Sequence, residues 1–219
     1  MHTHTEASPD SRTTIAEQAR AVRAAHIDVI CATDHNTIEG ALRLRETADG
    51  FRVIIGEEIS SRDGEIIGLF LDRAIPRDQS GEATIAAIHD QGGLAVIPHP
   101  FSINRRYHVR RPALDRLRSQ IDAIEIFNAR EAIFLNNRSA AAYAKEHDLV
   151  GTAGSDAHRG AEIGRAFVEM PDFAGRGDFL DSLRRGVVQG RLSGSGVHLF
   201  TRYDRLRKWL GRKSSSPSH

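Results

Sequence analysis

Histidines and carboxylates that could bind metal ions recur along this sequence in short, similar contexts. The chain opens with "MHTHTEAS", which places His2 and His4 two residues apart, and "SDAH" spaces Asp156 and His158 in the same way. Side chains at positions i and i+2 of an extended segment point to the same side, so each pair can offer two ligands to one ion. We therefore expect His2 and His4 to lie at the edge of a strand and to face inward.

Other candidate ligands follow apolar runs that are typical of strands. "VICAT" leads into Asp34 and His35, "VIIGE" ends in Glu58, and "LAVIP" is followed by His99. Because the carboxyl ends of strands face the active site in α/β sheets and barrels, these groups should converge. Imidazoles with carboxylates suit zinc, manganese or iron, and this number of ligands implies more than one ion. Such clusters generate a metal-bound hydroxide at neutral pH, so hydrolysis is the expected chemistry.

The elements that must position these groups alternate along the chain. Helical periodicity, as in 13–26, is followed by short apolar runs, as in 28–35, and this order repeats. The runs are nearly continuous rather than alternating, which is typical of strands buried on both faces of a parallel sheet. Repeated β-α units of this kind predict either a doubly wound sheet or a closed barrel.

Composition describes an ordinary globular protein. The chain has 219 residues, of which 40% are hydrophobic and 27% charged, so a single large core is expected. A formal net charge of +1 gives no overall field for nucleic acid or an anionic membrane. The single cysteine, Cys31, excludes an internal disulfide framework and fits a reducing cytoplasm. No signal peptide or membrane span is evident, so we expect a cytoplasmic protein.

Six ordered motifs together resemble the polymerase and histidinol phosphatase (PHP) family of phosphoesterases. They are "HTH" at 2–4, "SPDS" around Asp10, "TDHNT" at 33–37, "GEEIS" at 56–60, "IPHP" at 97–100 and "GSDAH" at 154–158. A lone HxH near an amino terminus is usually solvated, but six motifs in order favour a site. The resemblance runs from His2 to about Met170. It implies an α/β fold, a distorted (β/α)7 TIM-like barrel, with a trinuclear metal site at the carboxyl ends of the strands.

The resemblance also implies how the ligands are shared among two or three divalent zinc, manganese or iron ions. The implied sets are His2, His4, Glu58 and Asp156 for the first ion, Glu58 and His99 for the second, and Asp10, His35 and His158 for the third. Among these residues, we expect Glu58, His99 and Asp156 to be essential for catalysis. We interpret Asp34 as a group that orients a ligand and Glu57 as structural.

Two departures from the family pattern stand out. The family commonly has a histidine where "EIIG" places Glu65. Glu65 is either a further metal ligand or a solvent-facing residue of a hairpin turn formed by "RDGE", and both alternatives remain open. The family usually has a strand ahead of its first HxH, whereas only Met1 precedes His2, so either that strand is missing or the start is assigned late.

A phosphorylated substrate needs positive partners at the rim of the site. Arg130 and Arg159, which follow "EIFNA" and "SDAH", are preferred to Arg105 and Arg106, and Asn128 is expected to hydrogen-bond substrate or a bound water. We predict a metal-dependent phosphatase acting on a small phosphate monoester. The alternatives are a nuclease or nucleotide phosphodiesterase and a non-catalytic metal-binding barrel.

The last part of the chain has a different pattern. We expect a barrel domain over 1–194, a basic helix over 195–213 packed on the barrel through Leu206 and Trp209, and a disordered tail over 214–219. The basic helix is short and the protein is nearly neutral, so no extended nucleic-acid surface is predicted. The oligomeric state is left open.

Overall fold

The structure is a computed structural model that describes residues 1–102 and 107–194. Beyond residue 194 it describes five residues, all helical, which are Thr201, Tyr203, Asp204, Arg207 and Lys208. The predictions made for Arg105, Arg106, Leu206, Trp209 and the 214–219 tail lie outside the described residues.

Helices and strands alternate as the sequence predicts. The helices are α1 (Ile15–Ala24), α2 (Glu39–Glu46), α3 (Gly81–His89), α4 (Arg111–Leu117), α5 (Phe134–Glu146) and α6 (Arg176–Arg184). The strands are β1 (Val29–His35), β2 (Arg52–Ser61), β3 (Gly64–Leu69), β4 (Leu94–Ile97), β5 (Ala123–Asn128), β6 (Val150–Gly154), β7 (Ala166–Glu169) and β8 (Val187–Gly190). The sequence analysis did not predict α6 or the antiparallel β7-β8 pair.

Strands β1 to β6 form one six-stranded sheet in sequence order. All neighbouring pairs are parallel except those of β3, which runs antiparallel to both β2 and β4. The parallel arrangement that the apolar runs indicate is therefore interrupted at β3, because the turn at Arg62 and Asp63 is too short for a crossover and makes a hairpin. The reversal places the amino end of β3 beside the carboxyl ends of the other strands.

The first residues of the chain lie between β1 and the segment that follows β6. The backbone oxygen of Thr3 accepts from the N–H of Thr33 at 2.9 Å, and the N–H of His4 donates to the oxygen of Ala157 at 2.8 Å. The hydroxyl of Thr3 donates to the oxygen of Cys31 at 2.9 Å. Since side chains alternate along an extended segment, His2 and His4 point the other way, into the curled sheet.

Apolar packing and local capping hold the helices against the sheet. Leu44, Ile59, Ile88 and Leu114 are fully buried between the two layers, and each such side chain contributes about 1.5–3 kcal/mol of hydrophobic free energy. Helix α1 begins with a capping box in which Thr14 and Glu17 satisfy each other's backbone N–H groups.

The α/β class is confirmed, as a curled six-stranded sheet with helices packed on it. The finer expectation of seven β/α units in a closed barrel remains a prediction. Among the described residues, no helix is both long and apolar enough to cross a membrane.

Candidate metal centre

Four donor atoms from three parts of the chain meet inside the curled sheet. Nε2 of His2 lies 3.1 Å from Nε2 of His4 and 3.2 Å from Oε2 of Glu58. Nε2 of His4 lies 3.4 Å from Oε2 of Glu58 and 3.4 Å from Oδ1 of Asp156. Nε2 of His2 lies 3.8 Å from the same oxygen of Asp156. These are the residues that the resemblance assigns to the first ion.

The spacing of the donor atoms of His2, His4 and Glu58 fits ligands of one ion, and these three residues form a cluster able to hold a metal. Zinc ligands at 2.0–2.1 Å from the metal stand about 3.3–3.4 Å from one another at the corners of a tetrahedron. Five of the six distances among the four donor atoms run from 3.1 to 3.8 Å. All four side chains are buried, and their donor set of two imidazoles and two carboxylates suits a divalent transition metal.

Glu58 also faces a second group of donors. Its Oε1 lies 3.1 Å from Nε2 of His99, while Nδ1 of His35 lies 3.2 Å from its Oε2. Oε2 of Glu65 lies 3.8 Å from Nε2 of His99. Glu65 is buried and belongs to one of the clusters able to hold an ion. The hairpin turn predicted from "RDGE" is present, but the prediction that Glu65 faces solvent in this turn is wrong.

The third predicted set also comes together. Nε2 of His35 lies 3.5 Å from Oδ2 of Asp10, and Nε2 of His158 lies 3.4 Å from Oδ1 of the same carboxylate. The His35 ring therefore stands between Asp10 on one side and Glu58 with Glu65 on the other.

Charge in this cluster is strongly coupled. Burial lowers the pKa of His35, but the carboxylates of Glu58 and Asp10 outweigh it and raise that pKa to about 10. Burial and the neighbouring imidazole of His158 lower the pKa of His4 to about 3. Burial opposes ionisation of Glu58, yet His2 and His35 hold the pKa of this carboxyl well below its ordinary value. Buried carboxylates that draw positive charge so strongly also favour cations.

Hydrogen bonds orient two of the imidazoles. The Ser8 hydroxyl donates to Oδ1 of Asp34 at 2.7 Å, so its contact of 3.1 Å with Nδ1 of His4 requires that nitrogen to donate. Nδ1 of His158 lies 2.9 Å from the backbone oxygen of Asp156, which can only accept. In both rings the lone pair is therefore on Nε2, which faces the donor cluster. Asp34 has the orienting position that the sequence analysis gave it.

Glu125 and Asn128 form a second support that the sequence analysis missed in part. Burial raises the pKa of Glu125, but contacts with His2 outweigh it and lower that pKa overall. Oε2 of Glu125 accepts from Nδ2 of Asn128 at 2.8 Å, and the same Nδ2 donates to Oδ2 of Asp156 at 3.3 Å. Asn128 is buried and its amide bonds within the protein, and its hydrogen bond to substrate or a bound water stays a prediction.

A shift in strand pairing brings these two side chains to the same face. Glu125 pairs with Thr152 and Phe127 with Ala153, so the register shifts by one residue between them. Residues at i and i+3 of a regular strand face opposite ways, and an extra residue reverses the second. A buried carboxylate within the apolar run "AIEIF" was the available sequence signal for Glu125.

Two of the candidate ligands also have unusual backbone conformations. His99 and Asp156 have φ angles of 31° and 50°, which non-glycine residues rarely adopt. Each such residue costs of order 1 kcal/mol and persists where surrounding contacts fix it. Here these contacts include the bond of 2.9 Å from the His99 N–H to Oε2 of Glu125.

Comparison with known proteins identifies the family. The family model "PHP domain" matches residues 1–145, and the model "PHP-associated" matches residues 134–188. The chain belongs to the PHP domain family. The resemblance drawn from its motifs is thereby confirmed.

Two uncharacterized proteins of Methanocaldococcus jannaschii are similar to this PHP chain. One is 38% identical over 142 residues, which cover 59% of this chain and 80% of the relative. The other is 34% identical over 141 residues, which cover 60% of this chain and 60% of the relative.

Solved structures share the fold at low identity. PsfC from Pseudomonas syringae has a TM-score of 0.69 at 21% identity, over 94% of this chain and 96% of its own. A two-domain protein from Bacteroides vulgatus, which contains a predicted PHP-like metal-dependent phosphoesterase, has a TM-score of 0.69 at 20% identity. The match covers 96% of this chain and 68% of that protein. The lesion-specific endonuclease PfuEndoQ from Pyrococcus furiosus has a TM-score of 0.58 at 15% identity. The match covers 84% of this chain and 54% of the endonuclease.

The two arginines predicted to bind substrate in this PHP protein both contact helical residues that follow position 200. Arg130 is buried, with Nη1 3.3 Å from the backbone oxygen of Asp156 and Nη2 2.5 Å from Oγ1 of Thr201. Nη2 of Arg159, a half-exposed side chain, lies 2.8 Å from Oδ2 of Asp204. Arg130 is thus committed to internal contacts, and Arg159 is the more accessible of the two.

Glu57 differs from its neighbour Glu58 as the sequence analysis expected. Its Oε2 accepts from the backbone N–H of Ile75 at 2.7 Å, away from the donor cluster. Burial raises the pKa of Glu57 to about 7. This carboxyl therefore has a structural contact and none of the metal-facing contacts described above.

Proposed function

We propose that this protein is a metal-dependent phosphoesterase that hydrolyses a small phosphate monoester, using two or three divalent zinc, manganese or iron ions. The observation that carries the proposal is the convergence of buried donors at spacings that fit bound ions. His2, His4 and Glu58 form one such cluster, and Asp156 approaches both histidines. Membership of the PHP family and the phosphoesterase named among the similar structures support it.

Glu58 and Arg159 would have different roles in this reaction because of where they lie. Glu58 offers Oε2 to the set around His2 and Oε1 to His99, so one carboxylate can join two ions. When bound, divalent ions polarise phosphoryl oxygens and lower the pKa of water, which supplies a nucleophile at neutral pH. Arg159 would bind the non-reacting phosphate oxygens, because its planar guanidinium matches them.

Access to the donors supports a small substrate. The side chains of His2, His4, His99, Glu58 and Asp156 are at most 1% exposed. His35 is 16% exposed and Glu65 10%. A terminal phosphate can reach such buried donors more easily than an internal phosphodiester of a long nucleic acid can. This argument favours a monoester over the nuclease alternative.

Hydrolysis assays on the purified protein test the proposal. We expect two or three transition-metal ions per chain by elemental analysis, and turnover of p-nitrophenyl phosphate that a chelator abolishes. His99→Ala and Asp156→Ala should each lose at least about a hundred-fold in rate while keeping their circular dichroism, because each removes a ligand. Glu57→Gln is the matched control and should retain activity.

Other outcomes separate the alternatives. Turnover of bis-p-nitrophenyl phosphate or of a single-stranded oligonucleotide, with none of the monoester, would replace the phosphatase by a phosphodiesterase or nuclease. Bound metal without hydrolysis of any ester would favour a non-catalytic module. Absence of metal after careful reconstitution would overturn the proposal as a whole.

A further inference from the structure

Glu125 lies at the back of the donor cluster, where it contacts two candidate ligands at once. Its Oε1 is 3.4 Å from Nδ1 of His2, and its Oε2 accepts from the backbone N–H of His99 at 2.9 Å. The same Oε2 accepts from Nδ2 of Asn128 at 2.8 Å. The side chain is only 3% exposed, so water does not compete for these contacts.

Space around the carboxylate is made by a glycine. A Cβ atom at Gly154 would lie 1.9 Å from Oε1 of Glu125 and 2.6 Å from Cβ of His2. No other residue fits there while Glu125 keeps this position. The backbone of β6 is therefore built to let the carboxylate approach the His2 ring.

We propose that Glu125 is a positioning residue that fixes the tautomer of His2. A carboxylate only accepts hydrogen bonds, so the approach of Oε1 favours a proton on Nδ1 of His2, a buried nitrogen that makes no other hydrogen bond among the described residues. The lone pair is then on Nε2, which faces Glu58 and Asp156 at 3.2 and 3.8 Å. Such carboxylate–histidine pairs orient a ligand and increase its basicity towards a metal ion. The inference rests on the metal site of the proposed function, but not on which ester is hydrolysed.

Glu125→Gln gives a specific test, because an amide is not symmetric. Its oxygen must stay on the side of the His99 N–H and Asn128, where two donors converge. Its NH2 group then faces Nδ1 of His2 and donates to it. This reverses the hydrogen bond, so the His2 proton moves to Nε2 and points at the metal position.

Zinc affinity, measured by competition with a chromophoric chelator, is the main readout. We expect Glu125→Gln to bind the ion that contacts His2 about 10–100-fold more weakly than the wild-type protein. Glu125→Ala should bind zinc more tightly than Glu125→Gln, because it leaves the His2 ring unconstrained. Thermal unfolding should show the opposite order, since Ala leaves a cavity and two unpaired donors. A merely structural role predicts that Ala is worse in both measurements.

Glu57→Gln is the matched control, since it makes the same change in a buried carboxyl that accepts a backbone N–H away from the cluster. Equal zinc affinity in wild type and Glu125→Gln would overturn the inference, as would an equal loss in Glu57→Gln. If Glu125→Gln does not fold, long-range ¹⁵N–¹H NMR of the zinc-loaded wild-type protein decides. A proton on Nδ1 of His2 supports the inference, and a proton on Nε2 overturns it.

Discussion

Oε1 of Glu65 lies 3.7 Å from Nδ1 of His35, on the opposite side of that ring from Asp10. This contact places a carboxylate where the resemblance to the family implies a histidine. It arises because β3 runs antiparallel to its neighbours, so that its first residues reach the edge at which the other strands end. The resulting cluster carries one more negative charge than an imidazole at the same position would give.

We expect Glu65→His to shift both metal preference and pH dependence. Removing that negative charge leaves more of the ions' positive charge uncompensated, so coordinated water becomes more acidic. The pH optimum of ester hydrolysis should move towards acid, and preference should move from manganese or iron towards zinc. Elemental analysis of bound metal measures the change in metal preference, and pH–rate profiles of ester hydrolysis measure the change in pH optimum. Unchanged metal content and profiles in Glu65→His and Glu65→Ala would show that Glu65 is not a ligand.

Asp204 competes with an anionic substrate for Arg159 if that arginine binds phosphate. Asp204→Asn removes the charge that lies 2.8 Å from the guanidinium. Because Arg159 is half-exposed, such a pair contributes about 0.2–1 kcal/mol, so inorganic phosphate should inhibit about 1.4- to 5-fold more strongly. Asp172→Asn, which removes the partner of Arg52 elsewhere, is the control. Equal inhibition constants in all three proteins would exclude this competition.

Gly154→Ala should destabilise the protein and weaken its metal site together. The added methyl group would overlap Oε1 of Glu125 and crowd His2, at 1.9 and 2.6 Å. Overpacking of this kind costs about 1–3 kcal/mol of unfolding free energy, measurable by urea titration. Gly177→Ala in α6 is the control, because its Cβ would meet nothing within 4 Å. A Gly154→Ala protein with wild-type stability and zinc affinity would show that β6 and its neighbours can shift to accommodate the methyl group without a loss of unfolding free energy.

Cys31 should be inert in the folded protein. The thiol is buried in β1, and burial raises its pKa to about 11. Since the thiolate is the reactive species, labelling by iodoacetamide at pH 8 should need unfolding. Mass spectrometry of the protein with and without urea measures this. Rapid labelling without urea would mean that the sheet opens locally around β1.

The sequence by itself determined the α/β class and the identity of the donors. Both follow from local patterns. Apolar runs predicted β1 to β6, and ligand types at i and i+2 predicted that His2 and His4, like Asp156 and His158, share a face. These predictions hold because side chains alternate in direction along every strand, so that the local pattern of residue types reflects the face on which each side chain lies.

Only the tertiary structure decided which further side chains reach the cluster. The register shift in β5 turns Glu125 and Asn128 to one face, and the reversal of β3 brings Glu65 to the ligand edge. Contact with Thr201 engages Arg130 within the protein. Strand direction and register depend on pairing between distant segments, and a slip of one residue reverses the face of every side chain beyond it. Local patterns therefore predicted the candidate ligands, whereas long-range pairing selected the residues that support them.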